Sequence, residues 1–150
     1  MSADDPQSAQ ALALQGRITA FVRAFGLLQP DETPCGRPIP VSEAHALAEL
    51  DRDGPLPQHE LGARLHLEKS TVSRLVDQLE GRGWLTGCRR DGDGRVVWLE
   101  LTEAGRTAAA GLAAARAARF NRLLEAVPPD QRQTLLDSLD TLVEASRARP

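Results

Sequence analysis

"EKSTVSRLVDQLEGRGWL", residues 68–85, opens on Glu68, Lys69, Ser70, Thr71 and Ser73 before leucine and valine take over. Val72, Leu75, Val76 and Leu79 fall at i, i+3, i+4 and i+7, which draws one apolar stripe along a helix. Ser70, Arg74 and Asp77 stand opposite that stripe, with Thr71, Ser73 and Gln78 on its shoulders. Small hydroxyls at a helix start let the backbone approach a phosphate closely, and the phosphate meets unpaired amides and the positive end of the helix dipole. Arg74 and Gln78, further along the helix, have the donors to read guanine and adenine edges in a major groove. The stretch reads as a recognition helix, with Lys69, Ser70, Thr71, Ser73, Arg74 and Gln78 as candidate DNA contacts. Taken alone, the same polar face reads equally well as a capped, solvated helix surface.

The flanking residues separate those two readings. Upstream, Pro57 suits the first position of a short helix carrying Leu61 and Leu65, because its missing amide hydrogen has no intrahelical partner there. His66 then sits in a tight reversal, and histidine tolerates positive φ better than most residues. Downstream the period changes to two. Val97, Leu99 and Leu101 alternate with Val96, Trp98 and Glu100 after the double turn "DGDG" at 91–94, which predicts a two-stranded hairpin over 84–101. Helix, turn, polar-headed helix and hairpin together describe a winged helix-turn-helix, whose wing can carry an arginine into the adjacent minor groove. Arg95 is the candidate for that role, Asp93 can orient its guanidinium through a carboxylate bond, and Arg89 and Arg90 are expected to meet phosphates.

The outer parts read as long helices. Leu14, Ile18, Phe21, Phe25 and Leu28 recur at steps of four and three, the seam of a helix over residues 8–28. Four prolines between Gln29 and Pro40 rule out helix and central strand there, leaving an irregular connector. Ser42 is a candidate cap for a helix through Leu47 and Leu50, stopped by "RDGP". Thr102 can cap another long helix through Leu112, Phe120 and Leu124. "VPPD" breaks that helix, and Leu135, Leu139 and Leu142 mark the last one. The expected order is α-α-α-α-β-β-α-α. The expected architecture is mainly α with a small β-wing: an N-terminal dimerisation helix and connector (1–40), a winged helix-turn-helix DNA-binding domain (41–101) and C-terminal dimerisation helices (102–150). A single subunit would leave the terminal seams partly uncovered, so the chain is expected to form a homodimer.

Composition narrows the function further. The 150 residues carry a net charge of −3, which argues against a chain that coats polyanions over its whole surface. Residues 64–95, however, hold seven basic groups against five acidic ones, a local +2 that leaves −5 for the remainder. "MSADDPQSAQ" at the start has no apolar signal region, so a cytoplasmic location is expected. "AAAGLAAARAA" is too weakly apolar for a membrane span. No Gly-rich phosphate loop and no nucleophile with a base is present, so no enzyme, catalytic residue or cofactor is expected. Cys35 and Cys88 belong to no CxxC pair, and both read as reduced thiols. His45, with Glu43 and Cys35 as possible neighbours, is too few donors for a metal site, and none is expected. Trp84 and Trp98 read as packing at the base of the wing, and Phe21 and Phe25 as seam residues.

Three motifs together, "LGARLHLEKSTVSRLVDQLEGRGWL", the D-x-R of "DGDGR" and "LELTEAGR", resemble the MarR family of bacterial transcriptional regulators. The resemblance implies a dimer whose terminal helices interlock, presenting two recognition helices and two wings to double-stranded DNA at a pseudo-palindromic operator. It also implies that a small phenolic or other ligand, or thiol oxidation, alters the separation of the two reading heads. Any ligand pocket would lie between the long helices and the reading head, with its lining unassigned. The sequence departs from the family pattern twice. Glu68 stands where a small capping residue is usual, so its side chain must point away from DNA. Gly87 and Cys88 stand where an arginine is common, which moves the basic contact to Arg89 or Arg90. The function read from this is a homodimeric, sequence-specific repressor released by a small ligand. Its rivals are a winged helix that holds a protein partner instead of DNA, and a redox sensor acting through Cys35.

Overall fold

Asp5 caps the first helix, its carboxylate accepting from the Gln7 amide at 3.4 Å, and Pro6 follows at the first helical position, where no amide bond is lost. In this computed structural model, which describes residues 5–90 and 92–148, with Asp93 described by its backbone alone, α1 runs Pro6–Phe25. It closes before the expected end at Leu28. Gly26 takes the left-handed cap at φ 92°, a conformation that costs a residue without a Cβ nothing. The proline-rich connector folds around Thr33, whose buried hydroxyl accepts from the Arg37 amide at 3.0 Å.

Helix α2, Val41–Asp53, starts directly after Pro40 and is not capped by Ser42, which lies exposed in its first turn. The buried Ile39 anchors the entry and Pro40 already holds φ at −60°, so the chain turns into the helix without a side-chain acceptor. The chain then makes a strand that sequence reading missed. Leu56–Pro57 form β1, antiparallel to β3, with Leu56 opposite Leu99 and Pro57 opposite Trp98. Pro57 is therefore a buried strand residue flanking α3 (Gln58–Leu65), not the first residue of that helix. An edge strand tolerates proline because one of its backbone faces needs no donor.

Helix α4 spans Lys69–Gly81. The hairpin follows as β2, Leu85–Arg90, and β3, Asp93–Leu101, in a sheet of order β1-β3-β2 with a register shift between Arg89 and Arg90. The order of elements is thus α-α-β-α-α-β-β-α-α, with a short 3-10 turn at Pro129–Gln131 before the last helix. Thr102 caps α5, Glu103–Glu125, by accepting from the Gly105 amide at 3.0 Å. Helix α6 is Arg132–Arg147.

One apolar core joins α2, α3, α4, the three strands and the first half of α5, from Ile39 to Leu112. Leu47, Leu61, Leu79 and Leu99 are its fully enclosed side chains. Among the described residues α1 and α6 contribute none to it.

Candidate nucleic-acid interface

The reading head is set by two local features between α3 and α4. His66 takes the left-handed conformation at φ 53°, as its place in the turn required, and the Leu67 amide donates to the Gly62 carbonyl at 3.0 Å. The two helices then cross so closely that a Cβ on Gly62 would lie 2.9 Å from Val72 Cγ2. Val72, Leu75, Val76 and Leu79 are all buried, which fixes the rotation of α4 about its axis. Lys69, Ser70, Ser73, Arg74, Asp77 and Gln78 are consequently exposed, and Thr71 is half-buried. Glu68 precedes the helix, exposed and making no side-chain cap. The first-turn amides therefore keep no acceptor from that side chain.

The wing brings further cations beside this surface. Lys69 and Arg95 stand on the walls of one hollow of about 390 Å³, floored by Leu67, Val72, Val96 and Val97 and edged by Gln58 and His59. Arg95 is exposed on β3. The expected Asp93–Arg95 bond lies outside the described residues. Arg89 and Arg90 have contacts inside the wing. Arg89 donates to the Gly94 carbonyl across the turn, and the Arg90 guanidinium lies 3.6 Å from the centre of the Trp98 ring. Both side chains remain exposed, so stacking and bonding orient them without removing their charge from solvent. Trp84 packs against the core, in keeping with the packing role read from sequence.

Two other cations of the local +2 are engaged elsewhere. Arg64 bonds Glu60 at 2.7 Å, Glu49 at 3.2 Å and Asp53, tying α3 to α2. These carboxylates raise the Arg64 pKa, and hydrogen bonds from Arg52 and Arg64 hold Asp53 below its ordinary value. Arg82 pairs with the buried Glu43 at 2.8 Å. Sequence spacing could have suggested Glu60 with Arg64, four residues apart on one helix. The pairs to α2 have no sequence signal, because tertiary packing creates them.

A second cavity, about 420 Å³, lies between the end of α1, the connector, α2 and α5. Phe25, Leu27, Val41 and Phe120 give it apolar walls, and Arg116, Arg119 and His45 place cationic or titratable groups in its lining. Burial first, and Arg116 second, lower the His45 pKa below 6.5, with Glu49 opposing. Cys35 also lines this cavity, its Sγ 2.9 Å from the Thr33 hydroxyl. The Arg37 guanidinium donates to the Gly111 carbonyl at 3.2 Å. Glu43, the other possible neighbour of His45, pairs with Arg82 and is not part of this cavity's lining. Among the described residues no three His, Cys, Asp or Glu side chains converge as metal ligands.

Residues 39–97, the winged helix just described, match the family model for the MarR family. The chain carries a MarR-family domain. Solved structures extend the likeness beyond the matched segment. A MarR family regulator from Neisseria meningitidis is 25% identical, with 92% of this chain and 94% of that one covered at a TM-score of 0.67. The PcaV transcriptional regulator from Streptomyces coelicolor, solved with its natural ligand, is 23% identical, with 97% and 99% covered at 0.70. FabT from Streptococcus pneumoniae, solved in complex with DNA, is 18% identical, with 95% and 98% covered at 0.70. No curated protein matches the chain. The MarR-family fold therefore includes the terminal helices as well as the winged core. Among the described residues no helix is long and apolar enough to cross a membrane.

Proposed function

We propose that this MarR-family chain is a sequence-specific DNA-binding transcriptional regulator, acting as a homodimeric repressor on a pseudo-palindromic operator. The observation that carries the reading is the start of α4. Its apolar stripe is locked into the core while Lys69, Ser70, Ser73 and Arg74 project together from the first turns, beside a wing bearing Arg95. Lys69, Ser70, Thr71 and Ser73 would meet phosphates and Arg74 and Gln78 base edges. Arg95 would enter the minor groove, with Asp93 steadying it, and Arg89 and Arg90 would meet flanking phosphates from their positions in the wing.

The apolar surface of the terminal helices supports the dimer. Ile18 and Phe21 on α1, Phe120 on α5, and Leu136, Leu139 and Val143 on α6 are all between 41% and 50% exposed, a surface far more apolar than a lone chain keeps in water. The 420 Å³ cavity supports release by a small ligand, since its size and aromatic walls suit one ring and its arginines suit an acidic group. A structural relative, NadR, was solved with 4-hydroxyphenylacetate, a molecule of that kind. Selecting bound duplexes from a random pool tests the function. Enrichment of a two-fold symmetric site, lost in Arg74→Ala, is expected. Failure to enrich any sequence would favour the reading in which this surface holds a protein.

A further inference from the structure

Glu43 is 2% exposed on α2, and its Oε2 is buried without a hydrogen bond. The charge beside it is Arg82, whose Nε stands 2.8 Å away, off the direction that hydrogen bonding requires. Arg82 is the residue that ends the recognition helix. Its amide donates to the Gln78 carbonyl at 3.1 Å, and its guanidinium lies 5.2 Å from the centre of the Trp84 ring. One residue on, the Gly83 carbonyl accepts from the Thr102 hydroxyl at 2.6 Å. The far end of α4 is thus held from α2 by a charge and from the start of α5 by a hydrogen bond.

An ion pair whose carboxylate is buried but whose arginine is 36% exposed gains little stability, because desolvation of Glu43 offsets an attraction that solvent screens, and an apolar pair of similar volume fills the same space. Incomplete hydrogen bonding at Oε2 lowers the gain further. The leucines that otherwise join α2 to α4 tolerate small shifts in packing, whereas moving Arg82 away would leave the enclosed carboxylate uncompensated. The geometry also gives leverage. Over the roughly 20 Å of α4, a tilt of about 3° at Arg82 displaces the Lys69 end by about 1 Å, enough to spoil hydrogen bonds to base edges.

We infer that the Glu43–Arg82 pair is a positioning device: it fixes the tilt of the recognition helix, at some cost in stability, and so sets how sharply the chain separates its operator from other DNA. The inference rests on the DNA reading proposed above.

The test compares wild type, the double variant Glu43→Leu with Arg82→Leu, the milder Glu43→Gln, and Arg82→Lys. Residual dipolar couplings give the direction of α4 relative to α2 in the free protein, thermal unfolding gives stability, and fluorescence anisotropy gives affinities for a selected duplex and a random one. In the double variant, α4 is expected to reorient while the unfolding temperature holds or rises, and the ratio of specific to random affinity to fall about tenfold. Glu43→Gln should shift the α4 direction and the affinity ratio in the same way, and Arg82→Lys, which keeps the charge, should leave both near their wild-type values. An unchanged α4 direction in both the double variant and Glu43→Gln overturns the inference, and so does a double variant that only loses stability. A wild-type protein that does not discriminate between duplexes refutes the DNA reading instead, and the couplings still decide whether the pair positions the helix.

Discussion

The winged core and the terminal helices answer the same problem in opposite ways. Between Ile39 and Leu112 the chain encloses its own leucines, with Leu47, Leu61, Leu79 and Leu99 removed from solvent. In α1 and α6 no residue is buried, although both carry regular apolar seams. Seam spacing shows that a helix face is made to be covered, and only packing shows by what. The core is sufficient within one chain. In the proposed function the terminal helices form half of an interface, which would tie assembly to the spacing of two reading heads on one duplex.

The largest effect should come from breaking the outer region alone. Introducing Ile18→Glu and Leu139→Glu together is expected to give monomers in sedimentation. Affinity for a two-site duplex should fall about 10² to 10⁴-fold as the linkage of two heads is lost, with the winged core still folded by amide exchange. A dimer that survives both charges would place the interface elsewhere. Next in size is the core, where Leu79→Ala should cost about 2–5 kcal/mol in denaturant unfolding. Leu139→Ala should instead act through the concentration dependence of unfolding, and equal behaviour of the two would erase the contrast between the regions.

Arg74→Ala should weaken operator binding by about 1–3 kcal/mol without changing the unfolding midpoint. Arg95→Ala should do less, most visibly at sites whose minor groove is narrow and A·T-rich. The smallest effect concerns pH. Burial and Arg116 lower the His45 pKa below 6.5, so the unfolded chain binds the extra proton first. Stability from this group is therefore full above 6.5 and declines as pH falls through the lower folded value. His45→Gln should flatten that part of a thermal-stability profile, and an unaltered profile would remove His45 as its source.

How much of this was legible beforehand depended on whether a residue's role was local. The α4 stripe, the left-handed His66 and the Thr102 cap all follow from short-range periodicity or backbone preference, and each was readable. β1 was not, since two residues have no alternation to detect and Pro57 reads as a helix start. The end of α1 was misplaced because Leu28 kept the seam spacing while Gly26 had already turned the backbone. Candidate contacts on α4 were readable as a face. In the wing, the internal contacts of Arg89 and Arg90 depend on a hairpin register that spacing leaves open. Glu43 with Arg82, and Arg64 with Glu49 and Asp53, join segments far apart in sequence. The cavity beside His45 is lined from four such segments. Chain folding creates these relations, and no local pattern encodes them.

The salt dependence of binding to a selected duplex tests the central claim most directly. Two recognition helices and two wings neutralising phosphates should make log K fall with log salt at a slope of about −5 or steeper, and Lys69→Ala should make it shallower. A slope near zero, unaltered by Lys69→Ala, would contradict DNA as the ligand of this surface.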